Sequence, residues 1–383
     1  MFLTGLYLYC KNMKKLKIAI MDMDDLKNPF WGAGQAQVTR EVGKRLAKKH
    51  EVIVYSSKYP GYKDYLEDGI FYKHIGIVSK SSKITNIAYL LSVPLQVRKI
   101  KDADIIIEEF NAPISVSFSP LFTKIPLIAI PTIFAAEKFA KKYHIPFNWI
   151  ESFGVKFYKY FLPYSETDSG KIKRLNPKAI SKIVPVGVGE EFFKIRHYKP
   201  EYILFLSRFD IHQKGIDLLL ESYSKISDKI GYPLVLAGHG SDEQKVKEMI
   251  KKLKIERKVR IVGPAYGKKK FDLISKAIFV AFPSRFDELS LWALEALAAG
   301  MPLVAFSIPE AKWADKSVAL KAKPFNTEEY ARLMLKATNK DLNKQMRIAA
   351  RSLAKKYNWD EVTEDFEDFF EEVLKREGKY EQR

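Results

Sequence analysis

Short apolar runs bounded by glycine, proline or charge alternate along the chain with segments whose apolar positions recur three or four residues apart. The first run, Lys17–Met21, breaks into a loop at Asp22–Gly34 that holds Asn28-Pro29 and the glycines Gly32 and Gly34. Val38, Val42 and Leu46 then predict a helix over Val38–Lys48, and Glu51–Tyr55 reads as a second strand. The pattern is a βαβ unit with a glycine-bearing loop after its first strand. Apolar runs follow at Asp104–Ile107 and Leu127–Ile130, and Ser181–Val186 leads into a turn at Gly187–Gly189.

The pattern restarts near residue 200. Strands are expected at Tyr202–Leu206, Pro233–Ala237, Val259–Val262, Ile278–Phe282 and Pro302–Phe306. Helices are expected at Ile216–Ile226, Asp242–Leu253, Phe271–Lys276 and Leu291–Ala299, with Arg208–Gly215 as a loop. Alternation of this kind gives an α/β protein with parallel sheets covered on both faces. Two series imply two doubly wound, Rossmann-like domains facing across a cleft, with ligands beyond the carboxyl ends of the strands. The expected division is a start outside the fold at 1–12, an N-terminal domain at 13–195, a C-terminal domain at 196–355, and a last helix at 356–383. Residues 360–372 carry eight acidic side chains together with Phe366, Phe369 and Phe370. A helix with acid on one face and aromatics on the other suits docking back onto a basic N-terminal domain. A solvated helix on its own domain is the competing reading.

Composition narrows the options. The chain has 383 residues, which exceeds what one core usually serves. Its single cysteine, Cys10, excludes an internal disulfide framework and any multi-cysteine metal site. No apolar run reaches the roughly 20 residues that span a bilayer. Met1–Cys10 lacks the basic start and cleavage site of a signal peptide. A cytoplasmic protein, with peripheral contact at the inner face of the cell membrane, is the expectation. Abundant Lys and Ile with scarce Gln lean toward a thermophile.

The net charge of +19 is uneven, with 32 basic and 18 acidic side chains in residues 1–200. A basic half attracts phosphate-rich partners. No helix-turn-helix, zinc finger or RNP pattern supports specific nucleic-acid binding. A basic, aromatic stretch runs from Lys138 through Trp149, Phe153 and Phe157 to Phe161. On a helix it would suit a membrane interface, and a core helix with solvated lysines accounts for it equally.

The loops of the C-terminal half carry the candidate chemistry. Arg208 leaves one strand and Lys214 follows six residues later, before Gly215 and a helix. A planar fork and a point charge beside a helix start can clamp a diphosphate. In Arg285-Phe286-Asp287-Glu288-Leu289-Ser290-Leu291, followed four residues later by Glu295, two acids bracket a helix start. Backbone amides at Ser290 and Leu291 lie where a phosphate would sit. Glu288 competes with Asp287 on sequence alone. Gly238-His239-Gly240 lets a ligand approach the backbone, or simply makes a tight turn. Asp22-Met23-Asp24 follows the very first strand, the wrong place for a nucleotide-metal site, and no metal is expected.

Taken together, LSRFDIHQKGIDLLLES, YPLVLAGHGSDEQ, VRIVGPAYGKKKF and FPSRFDELSLWALEALAAGMPLVA resemble the retaining glycosyltransferases of family 4, which have the GT-B fold. The likeness is close over residues 200–310 and looser over 13–190. It implies that Arg208 and Lys214 hold the donor diphosphate, that Glu295 holds the donor ribose, and that Asp287 contacts the transferred sugar. It implies that Val262 and Gly263 line the base pocket and that Gly32 and Gly34 form the loop facing donor phosphate and acceptor. No cofactor is implied beyond the nucleotide-sugar substrate.

Departures are specific. Asp287 is one methylene shorter than the family's usual Glu, Leu289-Ser290 replaces Phe-Gly, and Ser207 replaces a Gly. No His follows Ile128-Ala129-Ile130-Pro131-Thr132. The expectation is a metal-independent hexosyltransferase with a glycan or lipid-linked acceptor. The alternatives are a nucleotide-sugar epimerase or phosphorylase on the same fold, or a non-catalytic sugar-nucleotide-binding relative.

Overall fold

The computed structural model describes residues 14–30, 34–110, 116–132, 134, 136–287 and 290–379. Its elements are β1 (Lys17–Met21), α1 (Gly34–Leu46), β2 (Glu51–Ser57), β3 (Tyr65–Glu67), β4 (Ile70–Ile75), α2 (Ser82–Lys99), β5 (Ile105–Phe110), β6 (Leu127–Pro131), α3 (Ala136–Tyr143), α4 (Phe147–Gly154), β7 (Tyr160–Phe161), α5 (Glu166–Leu175) and β8 (Ile180–Ser181). There follow α6 (Glu190–Phe193), β9 (Tyr202–Leu206), α7 (Ile211–Lys214), α8 (Ile216–Ser224), β10 (Leu234–Ala237), α9 (Glu243–Lys252), β11 (Val259–Gly263) and α10 (Gly267–Ser275). The chain ends with β12 (Ala277–Phe282), α11 (Leu291–Ala298), β13 (Leu303–Phe306), β14 (Ala319–Ala322), α12 (Thr327–Ala337), α13 (Lys340–Ala354) and α14 (Trp359–Arg376).

Two compact units result. One comprises residues up to Leu162, Ile172–Lys182 and the chain from Thr363 onward; the other comprises Pro163–Lys171 and Ile183–Val362. The changeover therefore falls at 182/183, not at 195/196, because Val184, Val186 and Val188 are already buried in the second unit.

The second unit's sheet has the order β11-β10-β9-β12-β13-β14, every pairing parallel. Numbered within the unit this is 3-2-1-4-5-6, the doubly wound Rossmann order. The strands are buried along their length, as in β9 and β12. That is why they read as continuous apolar runs rather than alternating ones. In α8, Ile216, Leu219 and Leu220 are buried; α11 is buried from Ala293 to Ala298.

The first unit's sheet has the order β3-β4-β2-β1-β5-β6-β7-β8, parallel apart from the β3–β4 hairpin. Its order reverses between β1 and β5. Each sheet belongs to its own Rossmann-like α/β unit.

Two expectations change, and some elements had no expectation. Arg208–Gly215 is not all loop, since α7 occupies its second half, with the Asp210 side chain accepting from the Gln213 amide. The basic, aromatic stretch is not one helix. His144 at φ +56° and Pro146 separate α3 from α4, and Lys159–Phe161 turns into β7. The β3–β4 hairpin and β14 had no distinct sequence signal, and α2 has apolar side chains all around and so no single helical stripe.

In the first unit, α14 buries Phe366, Phe369 and Phe370. Its acidic face meets cations: Glu367 accepts from Lys49 Nζ at 2.8 Å, and Asp365 lies 2.7 Å from Lys182 Nζ. His50 accepts the Leu16 amide on Nδ1, which leaves Nε2 to donate to Glu367 at 3.2 Å. Burial pushes the Glu367 carboxyl up, but the hydrogen bonds from His50 and Lys49 outweigh it and hold it below its ordinary value. A depressed carboxyl contributes stability above its unfolded value and loses that contribution as pH falls through its folded value. Glu367→Gln should therefore lower stability by about 1 kcal/mol at pH 7. The difference from wild type in denaturant melts should shrink as pH falls below the ordinary carboxylate range.

Candidate active site

In the second unit the sheet order reverses between β9 and β12, and the loops after these two strands carry the charged groups. Lys214, the last residue of α7, donates to Asp287 Oδ2 at 2.6 Å, and both side chains are nine-tenths buried. Ser284 Oγ donates to the same oxygen at 3.3 Å. Arg208 is exposed, and its Nη2 donates to Gln213 Oε1 at 3.1 Å. Arg285 ties the two loops together, with two bonds to Asp217 at 2.7 and 2.6 Å and a third to the Ile211 carbonyl. Arg285, Asp217 and Gln213 lie inside the quoted motifs but carried no assigned role there. Their role is visible only once both loops are in place.

Backbone geometry at this edge excludes side chains. Gly215 has φ +62°, and a Cβ there would lie 2.1 Å from the Pro283 carbonyl oxygen. Gly238 has φ +149°, and its Cβ would lie 1.9 Å from the Ser207 carbonyl oxygen. The Gly238 amide donates to Gly263 O at 2.9 Å, which joins the turn after β10 to the end of β11. Gly240 packs on the Phe209 backbone. The strand β11 itself ends at Val262 and Gly263, and Lys269 Nζ caps the Val262 and Pro264 carbonyls at 2.7 and 2.9 Å.

Ser290, buried, caps α11 at its N-terminus through its carbonyl, which accepts from the Ala293 and Leu294 amides, and Leu291 opens the helix half-exposed. One turn further, Glu295 is buried and accepts from Lys270 Nζ. Burial pushes the Glu295 carboxyl up, while the Lys270 charge and hydrogen bond oppose it. Lys270 was hidden in the run Lys268-Lys269-Lys270, where nothing in sequence separates a buried-facing lysine from solvated ones.

The first unit has its own charged cluster at the reversal between β1 and β5. Asp22 follows β1, Glu108 and Glu109 lie within β5, and Thr39 lies on α1; all are buried. Thr39 Oγ1 is 2.7 Å from Asp22 Oδ2 and 2.8 Å from Glu109 Oε1. A hydroxyl has one proton, so it can donate to only one of these oxygens. The other contact needs a proton on the carboxyl. The pair thus shares a proton: burial pushes Asp22 up to about 6 against its hydrogen bonds, and burial followed by the Asp22 charge pushes Glu109 well above its usual range. Glu108 separately accepts from Tyr158 OH at 2.9 Å and from Ser117.

The loop after β1 is pinned beside this cluster. His74 Nε2 lies 2.9 Å from Asp25 Oδ2 and its Nδ1 lies 3.0 Å from Asp64 Oδ1, while Tyr65 OH donates to Asp25 at 2.8 Å. Gly34 is the first residue of α1. Gly32, Glu288 and Leu289 lie outside the described residues.

Sequence and structure comparison agree on what this arrangement is similar to. Residues 188–371 match the family described as Glycosyl transferases group 1. The match covers just under half of the chain. An uncharacterized glycosyltransferase of Methanocaldococcus jannaschii is 34% identical over 106 residues, 28% of this chain and 27% of the relative. The chain thus matches about a quarter of that relative's length. Sucrose-phosphate synthase from Thermosynechococcus elongatus has a TM-score of 0.79 at 14% identity, covering 94% of this chain and 100% of that one. Anabaena Alr3699/HepE, solved in complex with UDP-glucose, has a TM-score of 0.72 at 14% identity, covering 92% and 99%.

The matched segment contains Arg208, Lys214, Asp287, Ser290, Leu291, Glu295, Gly238, Gly240, Val262 and Gly263, all at or after the carboxyl ends of β9 to β12. Gly238→Ala should cost about 2 kcal/mol or more, read as a lower melting midpoint. In the other unit, the Asp22–Glu109 proton makes the folded state hold more protons than the unfolded chain between pH 4 and 6. Stability should fall across that window as pH rises. Asp22→Asn should flatten the fall, and an identical pH profile in the variant would contradict the shared proton.

Proposed function

We propose that the protein is a glycosyltransferase that moves a hexosyl-type sugar from a nucleotide-sugar donor to an acceptor hydroxyl. The observation that carries this is the buried Lys214–Asp287 pair at the sheet reversal, with Arg208 held by Gln213 in the loop beside it, inside a segment that matches group 1 glycosyltransferases. A uridine diphosphate sugar is the first donor to test, because HepE was solved with UDP-glucose.

In this reading the donor diphosphate takes the place beside Lys214 that Asp287 holds without ligand, and the exposed Arg208 closes on it as a planar fork. Asp287 stays within reach as an acceptor for a sugar hydroxyl. Glu295, oriented by Lys270, receives the ribose hydroxyls. Val262 and Gly263 bound the base, and the Ser290 and Leu291 amides face the phosphate. The bond between the sugar's anomeric carbon and the diphosphate oxygen breaks, and a bond to the acceptor oxygen forms. The acceptor's proton passes to the departing diphosphate, whose charge Arg208 and Lys214 stabilise. Front-face transfer of this kind retains configuration and asks for no strong protein base. Two fixed cations supply the charge that a metal would otherwise supply. The acceptor is a glycan or a lipid-linked hydroxyl.

The test is a thermal-shift series with UDP, GDP and ADP and their sugars, without metal, on wild type and Glu295→Ala. Ligand bound to the native state raises the melting temperature by mass action. One nucleotide family should stabilise wild type by a few degrees and the variant less. No shift with any nucleotide at millimolar concentration would overturn the donor site. Product analysis then separates transfer from epimerisation and phosphorolysis. Arg208→Ala should lower kcat/KM on the order of a hundredfold with little change in melting temperature. Lys214→Ala is the poorer test, since it leaves the buried Asp287 carboxylate without its cation.

A further inference from the structure

The helix α2 has two apolar faces, and the fold uses one. Thr85, Tyr89, Val93 and Val97 are buried, and Tyr89 OH donates to the Tyr55 carbonyl at 3.0 Å. At about 100° per residue, Ile84, Ile87, Leu91 and Leu95 form a second stripe on the opposite side. Those four are 50%, 55%, 70% and 58% exposed. A helix apolar all round is normally enclosed on every side. This one is open on a whole face, and the loop before it adds exposed Ile77 and Val78.

The surface continues into neighbouring elements of the same unit. A 3-10 turn at Ser119–Leu121 packs on α2, and Leu121 and Phe122 are exposed. Phe118, just before that turn, has its ring 6.3 Å from Phe153 of α4; Phe153 and Trp149 are both exposed. The residues at the ends of α2 decide the occupant. Residues 76–101 carry five basic side chains, Lys80, Lys83, Arg98, Lys99 and Lys101, and no acidic one.

We propose that this face of the first unit docks on the surface of an anionic lipid bilayer. Aliphatic side chains along the helix enter the acyl boundary, and the lysines and arginine at its two ends meet anionic headgroups. The arrangement disfavours a second copy of the chain, because a two-fold contact through this face would set cation against cation. The proposal is independent of the donor site and survives if that site binds no nucleotide.

The test is flotation of the purified full chain with vesicles of phosphatidylcholine alone and of phosphatidylcholine with phosphatidylglycerol, without nucleotide. Wild type should float with the anionic vesicles only. Leu91→Glu combined with Leu95→Glu should weaken that binding about tenfold or more, as should Lys83→Glu with Lys99→Glu. All four positions are exposed, so both double variants should melt close to wild type. The proposal is overturned if wild type ignores anionic vesicles, or if Leu91→Glu with Leu95→Glu floats as wild type does. A dimer in size-exclusion chromatography that the same variant dissociates, with no vesicle binding, would assign the face to a second copy instead.

Discussion

A parallel strand between two layers of helices has no face to give to a polar side chain. That constraint governs both sheets. It makes β9, β10 and β12 unbroken apolar runs, and it drives charge into the loops past their carboxyl ends. Because every strand of the second sheet points the same way, those loops gather at one edge, and the reversal of strand order opens that edge between β9 and β12. Lys214 and Asp287 meet there because the topology leaves them nowhere else to be.

The first sheet breaks the same constraint in one place. The strand β5 is buried from end to end, yet its sequence is Ile-Ile-Ile-Glu-Glu-Phe. Two carboxyls inside such a strand are costly unless each finds hydrogen bonds or keeps a proton. Both compensations are present, with Tyr158 and Ser117 serving Glu108 and the Asp22–Thr39 link serving Glu109. A fold-only requirement would be met by two more isoleucines. The polar residues persist at the point where the first sheet reverses its order, which is the position that corresponds to the charged edge of the other unit.

Much of this architecture is legible in the residues. Buried parallel strands announce themselves as runs such as Tyr202–Leu206, and the helix start at Leu291 is marked by the acids and the serine before it. What stays hidden has a physical reason in each case. The partners Lys270, Gln213 and Arg285 act across loops distant in sequence, and a lysine or arginine looks the same whether it meets water or a buried carboxylate. The β3–β4 hairpin is short and half-exposed, so it lacks the apolar signal of its neighbours. The helix α2 defeats periodicity analysis because it is apolar on both sides. The stretch from Lys138 to Phe161 shows the reverse error: its composition suits one amphipathic helix, while His144 and Pro146 forbid it.

The last helix also orders events in time. Glu367 closes on His50 across 317 residues of chain, and the aromatic face of α14 completes the first unit's core. On a ribosome that segment emerges after every strand of both sheets. The second unit draws on nothing beyond Val362, so its sequence is complete while the first unit still lacks its final helix. The unit that holds β1 is thus the one that finishes folding second, and until α14 has emerged its apolar seat for Phe366, Phe369 and Phe370 stands open to solvent and to chaperones.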